Sequence, residues 1–228
     1  MRNRFVLLAI ILVFAGCKKV EEPKGGLEVF FIRHAETIAN LTGEHNEKNL
    51  KLFSVDGLDQ ILKLKKSLKD YKFDNIIVSP LWRTQKTILP FLSANSLHAE
   101  VWPEFTECCW QEEKDIEGSD SIKTGAVIEI ADSQLIKYRD AESHYEIFNT
   151  NNYKDGVNQV KKGFELFMDR FGNTNKKVLL VGHFHSGSAF LKMLLGKDSD
   201  ENLELENAKI SHLIQNKNGT FKINYLNK

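Results

Sequence analysis

Val29-Phe30-Phe31-Ile32 is a run of β-branched and aromatic residues that stops at Arg33-His34, and the stretch beyond it, Glu36-Thr37-Ile38-Ala39-Asn40, can open a helix. A histidine at the end of a strand in an α/β sheet stands in the crevice where such sheets bind ligands, and the guanidinium beside it favours an anionic one. Taken alone, the pair also fits a buried histidine next to a surface arginine. Two further stretches have chemistry to offer. Arg83 follows Ser79-Pro80 into the first turn of an expected helix, where backbone N–H groups and a guanidinium together can hold an oxyanion. His183 and His185 form a His-x-His pair that on one strand would project both rings to one face and, with His34, could bind a metal ion. Gly182 and Ser186-Gly187 argue that the strand has already ended there.

These groups must be carried by strand ends and helix starts, and the apolar pattern supplies them. Leu58, Ile61, Leu62, Leu68 and Tyr71 recur near helical spacing with lysines between them, which predicts an amphipathic helix from Asp56 with one face against a sheet. Phe73 to Ser79 reads as a short strand closed by Pro80, and Ala99 to Trp102 as another. Val157, Val160, Phe164, Phe167 and Phe171 mark a second amphipathic helix from Asp155 to about Gly172. Lys177 to Val181 is a buried strand that turns through Gly182-His183-Phe184-His185-Ser186-Gly187 into a helix reaching Gly196. Asn207 to Gln215 and Thr220 to Tyr225 read as closing strands joined through Asn218-Gly219. Strands alternating with helices before a terminal hairpin predict a three-layer α/β/α sandwich with a mostly parallel central sheet. Leu41 to Leu52 reads as a loop near the site. Residues 111–152 read as a lid insertion in which Ala126 to Ile130 suits either strand or helix. Arg139 or Lys137 could there meet a second anionic group, or could decorate the surface of a lid helix.

The chain has 228 residues with 31 basic and 31 acidic side chains, so no global field recruits nucleic acid or an anionic membrane. The N-terminus differs from the rest. Arg2 and Arg4 precede an apolar run from Phe5 to Phe14, too short to span a bilayer, and Ala15-Gly16-Cys17 follows. This reads as a signal peptide over residues 1–16, and Phe14-Ala15-Gly16-Cys17 resembles the bacterial lipobox, which implies lipidation at Cys17. An exported lipoprotein facing the periplasm or cell exterior is then expected. Residues 17–26 would form a polar tether, ahead of one domain over residues 27–228. The adjacent Cys108 and Cys109 are too close along the chain for an unstrained bridge and are expected as reduced or buried thiols, a redox switch or intermolecular bridge being the alternative.

Arg33-His34-Ala35-Glu36-Thr37 with Asn40 resembles the opening signature of the histidine phosphatase (phosphoglycerate mutase-like) superfamily, with Ala35 in place of the commoner glycine. Phe53-Ser54-x-x-Gly57-x-x-Gln60, Ser79-Pro80-x-x-Arg83-x-x-x-Thr87 and Val178-Leu179-Leu180-Val181-Gly182-His183 resemble further family segments in the right order. Glu36-Thr37 after the first histidine and Phe184 after the second separate the chain from the acid phosphatase and phytase branch. The resemblance implies a phosphomonoester hydrolase in which His34 becomes phosphohistidine. Arg33, Arg83 and His183 would surround the phosphoryl group, Asn40 would add a neutral donor, and no metal or other cofactor would be needed. It implies a carboxylic acid near Phe105-Thr106-Glu107, so Glu107 is the candidate and Glu104 the alternative. The implied partner is a small phosphorylated substrate. Phe184-His185 stands where the family usually has glycines, which lack a side chain's barrier to positive φ. A lipoprotein that binds phosphate without turning it over is the reading from a different class.

Overall fold

The computed structural model describes residues 26–110, 123–140, 145–150, 152–197 and 203–228. The expected signal peptide of residues 1–16, Cys17 and the expected tether up to residue 25 lie outside the described residues, as does part of the expected lid.

Chain order is β1 (Glu28–Arg33), α1 (Ile38–Thr42), α2 (Glu47–Lys51), α3 (Val55–Ser67), β2 (Asn75–Val78), α4 (Trp82–Asn95), β3 (Ala99–Val101) and a 3-10 turn at Pro103–Phe105. Then come β4 (Lys123–Val127), β5 (Ile136–Tyr138), β6 (Glu146–Asn149), α5 (Tyr153–Phe171), β7 (Lys177–Gly182), α6 (His185–Leu194), β8 (Ile210–Gln215) and β9 (Phe221–Tyr225). Seven strands form one sheet in the order β5-β3-β2-β7-β1-β8-β9, and β4 pairs with β6 apart from it. From β5 to β1 all pairings are parallel, and β8 then runs antiparallel to both β1 and β9.

The pleat of β1 shows why the sheet is covered on both sides. Phe30 and Ile32 join Ile61 and Leu64 of α3 and Ile88, Phe91 and Leu92 of α4 in one apolar cluster. Val29 and Phe31 face the other way, into a cluster with Val160, Phe167 and Phe171 of α5 and Phe190, Leu191 and Leu194 of α6. Helices on both faces of a mostly parallel sheet make the expected three-layer α/β/α fold.

Two expectations need correction. Leu41 to Leu52 is not a plain loop but holds the end of α1 and all of α2, with Thr37 and Asn46 as the side-chain N-caps of the two helices. Five-residue helices are too short to show an apolar period. Arg139 sits on no lid helix: it follows β5, which lengthens the main sheet, and β4 with β6 makes a small antiparallel pair. The run Ala126 to Ile130 thus begins as strand.

Candidate active site

β1 and β7 are parallel neighbours with Arg33 opposite Gly182, so the residues that follow, His34 and His183, leave the sheet side by side. Their ring centroids are 5.3 Å apart and the planes meet at 62°. Both rings are buried. The backbone of His34 is pinned from two sides: its N–H donates to Gly182 O (2.9 Å) and its carbonyl accepts from Asn207 Nδ2 (2.8 Å).

The His34 ring has a defined tautomer. Nδ1 lies 2.8 Å from the carbonyl oxygen of Ala35, which can only accept, so Nδ1 carries the proton and Nε2 the lone pair. Arg83 Nε donates to that lone pair at 3.2 Å. Burial, more than any charge, holds the His34 pKa well below the ordinary histidine range; Arg83 lowers it further, the Ala35 carbonyl opposes this, and Arg33 adds least. The two arginines are therefore the smaller influence on the ring's neutrality. His183 is likewise pushed far down, by burial first and Arg83 second. Its Nε2 lies 2.7 Å from Ser79 Oγ, and its Nδ1 is buried with no partner among the described residues.

Each motif has a local physical cause. Ser54 caps α3 by accepting from Gly57 N (2.9 Å) and donates to Glu36 Oε1 (2.6 Å), while Gln60 Oε1 accepts from Glu36 N (2.9 Å). Gly57 is required because a Cβ there would lie 2.0 Å from the Glu36 carbonyl oxygen. Helix α3 thereby holds the loop that carries His34. Thr87 Oγ1 accepts from Ala35 N (2.9 Å) and donates to Arg83 O (2.7 Å), tying α4 to the same loop. Asn40 closes a capping box in which its Oδ1 accepts from Thr37 N (3.1 Å) and Thr37 Oγ1 (3.0 Å), so the amide nitrogen is the end left to donate.

The two candidate acids part company. Glu104 lies in the 3-10 turn, 2% exposed, and accepts from Arg139 Nη1 (2.9 Å) and Nη2 (3.3 Å). Arg139 is thus engaged by Glu104, which is neither of the two alternatives left open for it, contact with a second anionic group and decoration of a lid helix's surface. Glu107 instead lines the cavity at the strand ends. Its Oε1 accepts from Ser186 N (3.0 Å) and Cys108 N (3.2 Å), and its Oε2 from Phe184 N (3.2 Å). Arg33 is fixed by Leu205 O (2.9 Å), and burial lowers its pKa; Arg83 is pushed down to about 10, again by burial, and stays charged at neutral pH.

Arg33, His34, Asn40, Arg83 and Glu107 meet in a cavity of about 760 Å³, within the range of small-molecule sites. His183 is packed behind it, fully buried. Phe184 has φ −74°, so no positive φ is needed where glycine was expected, and its N–H still reaches Glu107. His183 follows the end of β7 whereas His185 opens α6, so the two rings do not share a strand face. Among the described residues no group of three or more His, Cys, Asp or Glu is arranged to hold a metal ion. Cys108 and Cys109 are free and buried, their sulfur atoms 2.6 Å apart.

The sequence singled out Ser79 and Thr87 as motif residues without giving them these supporting contacts, and Asn207 and Gln159 were missed as supports. Gln159, buried on α5, donates to Glu104 O (3.1 Å) and Thr106 O (2.9 Å) and so holds the segment leading to Glu107. An amide on the apolar face of an amphipathic helix was the available signal; Asn207 gave none.

The chain belongs to the histidine phosphatase superfamily (branch 1), whose family description matches residues 29–228. Solved structures share the fold at low identity. A putative alpha-ribazole-5'-P phosphatase from Escherichia coli K-12 is 19% identical over 89% of this chain and 97% of its own, with a TM-score of 0.63. A mutant phosphoserine phosphatase from Entamoeba histolytica in complex with phosphoserine is 18% identical over 89% and 97%, with a TM-score of 0.59. A mycobacterial glucosyl-3-phosphoglycerate phosphatase in complex with VO3 is 15% identical over 88% and 98%, with a TM-score of 0.58. No curated protein matches the chain.

Proposed function

We propose that the protein hydrolyses small phosphomonoesters through a phosphohistidine on His34. The observation that carries this reading is the His34 ring itself, with its proton held on Nδ1 by a carbonyl and its Nε2 lone pair beside the Arg83 guanidinium. In the first half-reaction Nε2 attacks phosphorus, the bond from phosphorus to the ester oxygen breaks, and Glu107 gives that oxygen a proton. In the second, water gives a proton to the Glu107 carboxylate and its oxygen attacks phosphorus. The P–N bond breaks, and phosphate leaves with His34 and Glu107 restored. Arg33, Arg83 and the Asn40 amide line the cavity and supply positive charge and donors for the phosphoryl oxygens, which is what phosphoryl transfer asks of a protein; His183, buried and outside that lining, would join them only with its proton on the partnerless Nδ1 and Ser79 donating to its Nε2. Arg83, which donates to Nε2 in the free enzyme, would turn that donor to the phosphate as it enters.

The reading extends to the site of action. Residues 1–16 would direct export and a lipid on Cys17 would hold the chain at a membrane, facing the periplasm or cell exterior; the run Phe5 to Phe14 followed by Ala15-Gly16-Cys17 supports this.

A panel of alkyl and aryl phosphates assayed with and without a chelator tests the activity. Wild-type protein is expected to release phosphate in both conditions, and His34→Ala to lose roughly 10³-fold or more. Tight phosphate binding with no ester hydrolysed would overturn the proposal in favour of a binding lipoprotein. Loss on chelation that zinc restores would revive a metal site.

A further inference from the structure

Phe184 and His185, which replace expected glycines, do not distort the backbone, so the question becomes what their side chains add. The Phe184 ring lies against the phosphate end of the cavity: the Arg33 guanidinium carbon is 5.1 Å from its centroid. The His185 ring meets Phe184 edge-on at 4.9 Å. Leu50, Leu81 and Trp110 continue the lining, and Trp110 leaves 56% of its surface exposed. An indole that exposed beside an anion site is apolar area that a ligand can cover.

Fixed charge is distributed unevenly along this lining. The guanidinium groups among the lining residues are Arg33 and Arg83, both at the phosphate end, and the carboxylate is Glu107, whose oxygens already accept three backbone N–H groups; the other ionisable side chains of the lining are the imidazoles of His34, His45 and His185, and no lysine is among them. Arg139, one of the two cations named with Lys137 as able to meet a second anion, is held by Glu104. Burial lowers the His185 pKa from the ordinary histidine value, while Glu107 pulls the other way.

We infer that Phe184, Trp110, Leu50 and Leu81 form a subsite for the alcohol part of the substrate, and that this part is an uncharged apolar group of aromatic size, not a polyol, an amino alcohol or a second phosphate or carboxylate. The inference rests on the proposed phosphomonoester reading for the orientation of the substrate, phosphate inward. A group of this kind would lie against the Phe184 ring, which neighbours Arg33, and against the other apolar side chains that line the same cavity.

Four phosphonates, which bind without turnover, test it by calorimetry on the purified full-length chain: propyl, 3-phenylpropyl, 3-aminopropyl and 2-carboxyethyl. The phenylpropyl compound is expected to bind about 10-fold tighter than the propyl one or better, and the two charged compounds no tighter than the propyl one. Trp110→Ala should erase most of the phenyl advantage and Trp110→Phe should keep most of it. The matching phosphate monoesters, all primary alkyl esters with similar leaving groups, should rank the same way in kcat/KM. Equal affinities for phenylpropyl and propyl, tightest binding of a charged compound, no phosphonate binding, or a phenyl advantage untouched by Trp110→Ala would each overturn the inference. If the phosphonates rank as expected but no ester is hydrolysed, the subsite stands and the hydrolytic reading fails instead.

Discussion

For His34 to attack phosphorus, Nε2 must hold a lone pair, and a buried ring whose Nδ1–H is already committed to a carbonyl meets that condition over a wide pH range. Two expectations follow for pH. The acid limb of kcat/KM should fall below the ordinary histidine pKa of about 6.5, because the free enzyme's nucleophile does not titrate there. Stability should move the other way. The unfolded chain protonates these histidines near 6.5 while the folded one holds His34 and His183 neutral to much lower pH, so below about 6.5 the unfolded state binds more protons and stability falls as pH drops. Melting temperatures between pH 7.5 and 5.5 check this, with a shallower slope expected for His34→Gln; a slope of opposite sign would contradict it. The acid was only half legible at this scale. Two glutamates three residues apart, with no family glycine after them to fix the alignment, could not be separated until the 3-10 turn put Glu104 under Arg139 and left Glu107 in the cavity. Glu107→Gln is therefore expected to cost about 10²–10⁴-fold towards alkyl phosphates and less towards aryl ones. Glu104→Gln should instead lower stability by about 1.5–3 kcal/mol, with kcat changed little; the reverse assignment of effects would move the acid to Glu104.

Elements explain why the motifs have their spacing. Gly57 and Gln60 are one helical turn apart on α3 because one must let the Glu36 carbonyl approach and the other must receive the Glu36 N–H. Gly57→Ala would push α3 off the loop that carries His34, so stability and kcat should drop together, the former by about 1–3 kcal/mol of overpacking. Thermal unfolding alongside steady-state kinetics checks it, and an unaffected kcat in a destabilised protein would separate α3 from the site. The long periodic helices α3 and α5 and the buried strands β1, β2 and β7 were legible, because each repeats its apolar pattern over enough residues to fix its face. Helices α1 and α2 were not, being five residues each and held by capping side chains instead of a buried stripe. Strand β5 was not either: three residues long, with Lys137 and Tyr138 exposed, it is fixed by pairing with β3 and not by its own pattern.

At the scale of the whole molecule, the order of segments mattered more than any one of them. Four family-like stretches, in sequence order, converge because β1, β2 and β7 are adjacent and parallel and so end on the same side of the sheet. Among the described residues no helix is long and apolar enough to cross a membrane. The proposed attachment is by a lipid at Cys17. With lipid labelling in a bacterial host, wild type is expected to partition into detergent and Cys17→Ser to stay in the aqueous phase; label on the variant would reject the anchor. The central claim, that His34 carries the phosphoryl group, is tested most directly by trapping it. A labelled phosphate ester is mixed with enzyme and quenched rapidly in alkali, where a phosphoramidate survives, and the label is located by peptide mass. The account predicts acid-labile, base-stable label on the peptide containing His34, absent in His34→Ala and formed more slowly in His183→Ala. Steady hydrolysis by wild-type protein with no such label, or with the label on another residue, would contradict it.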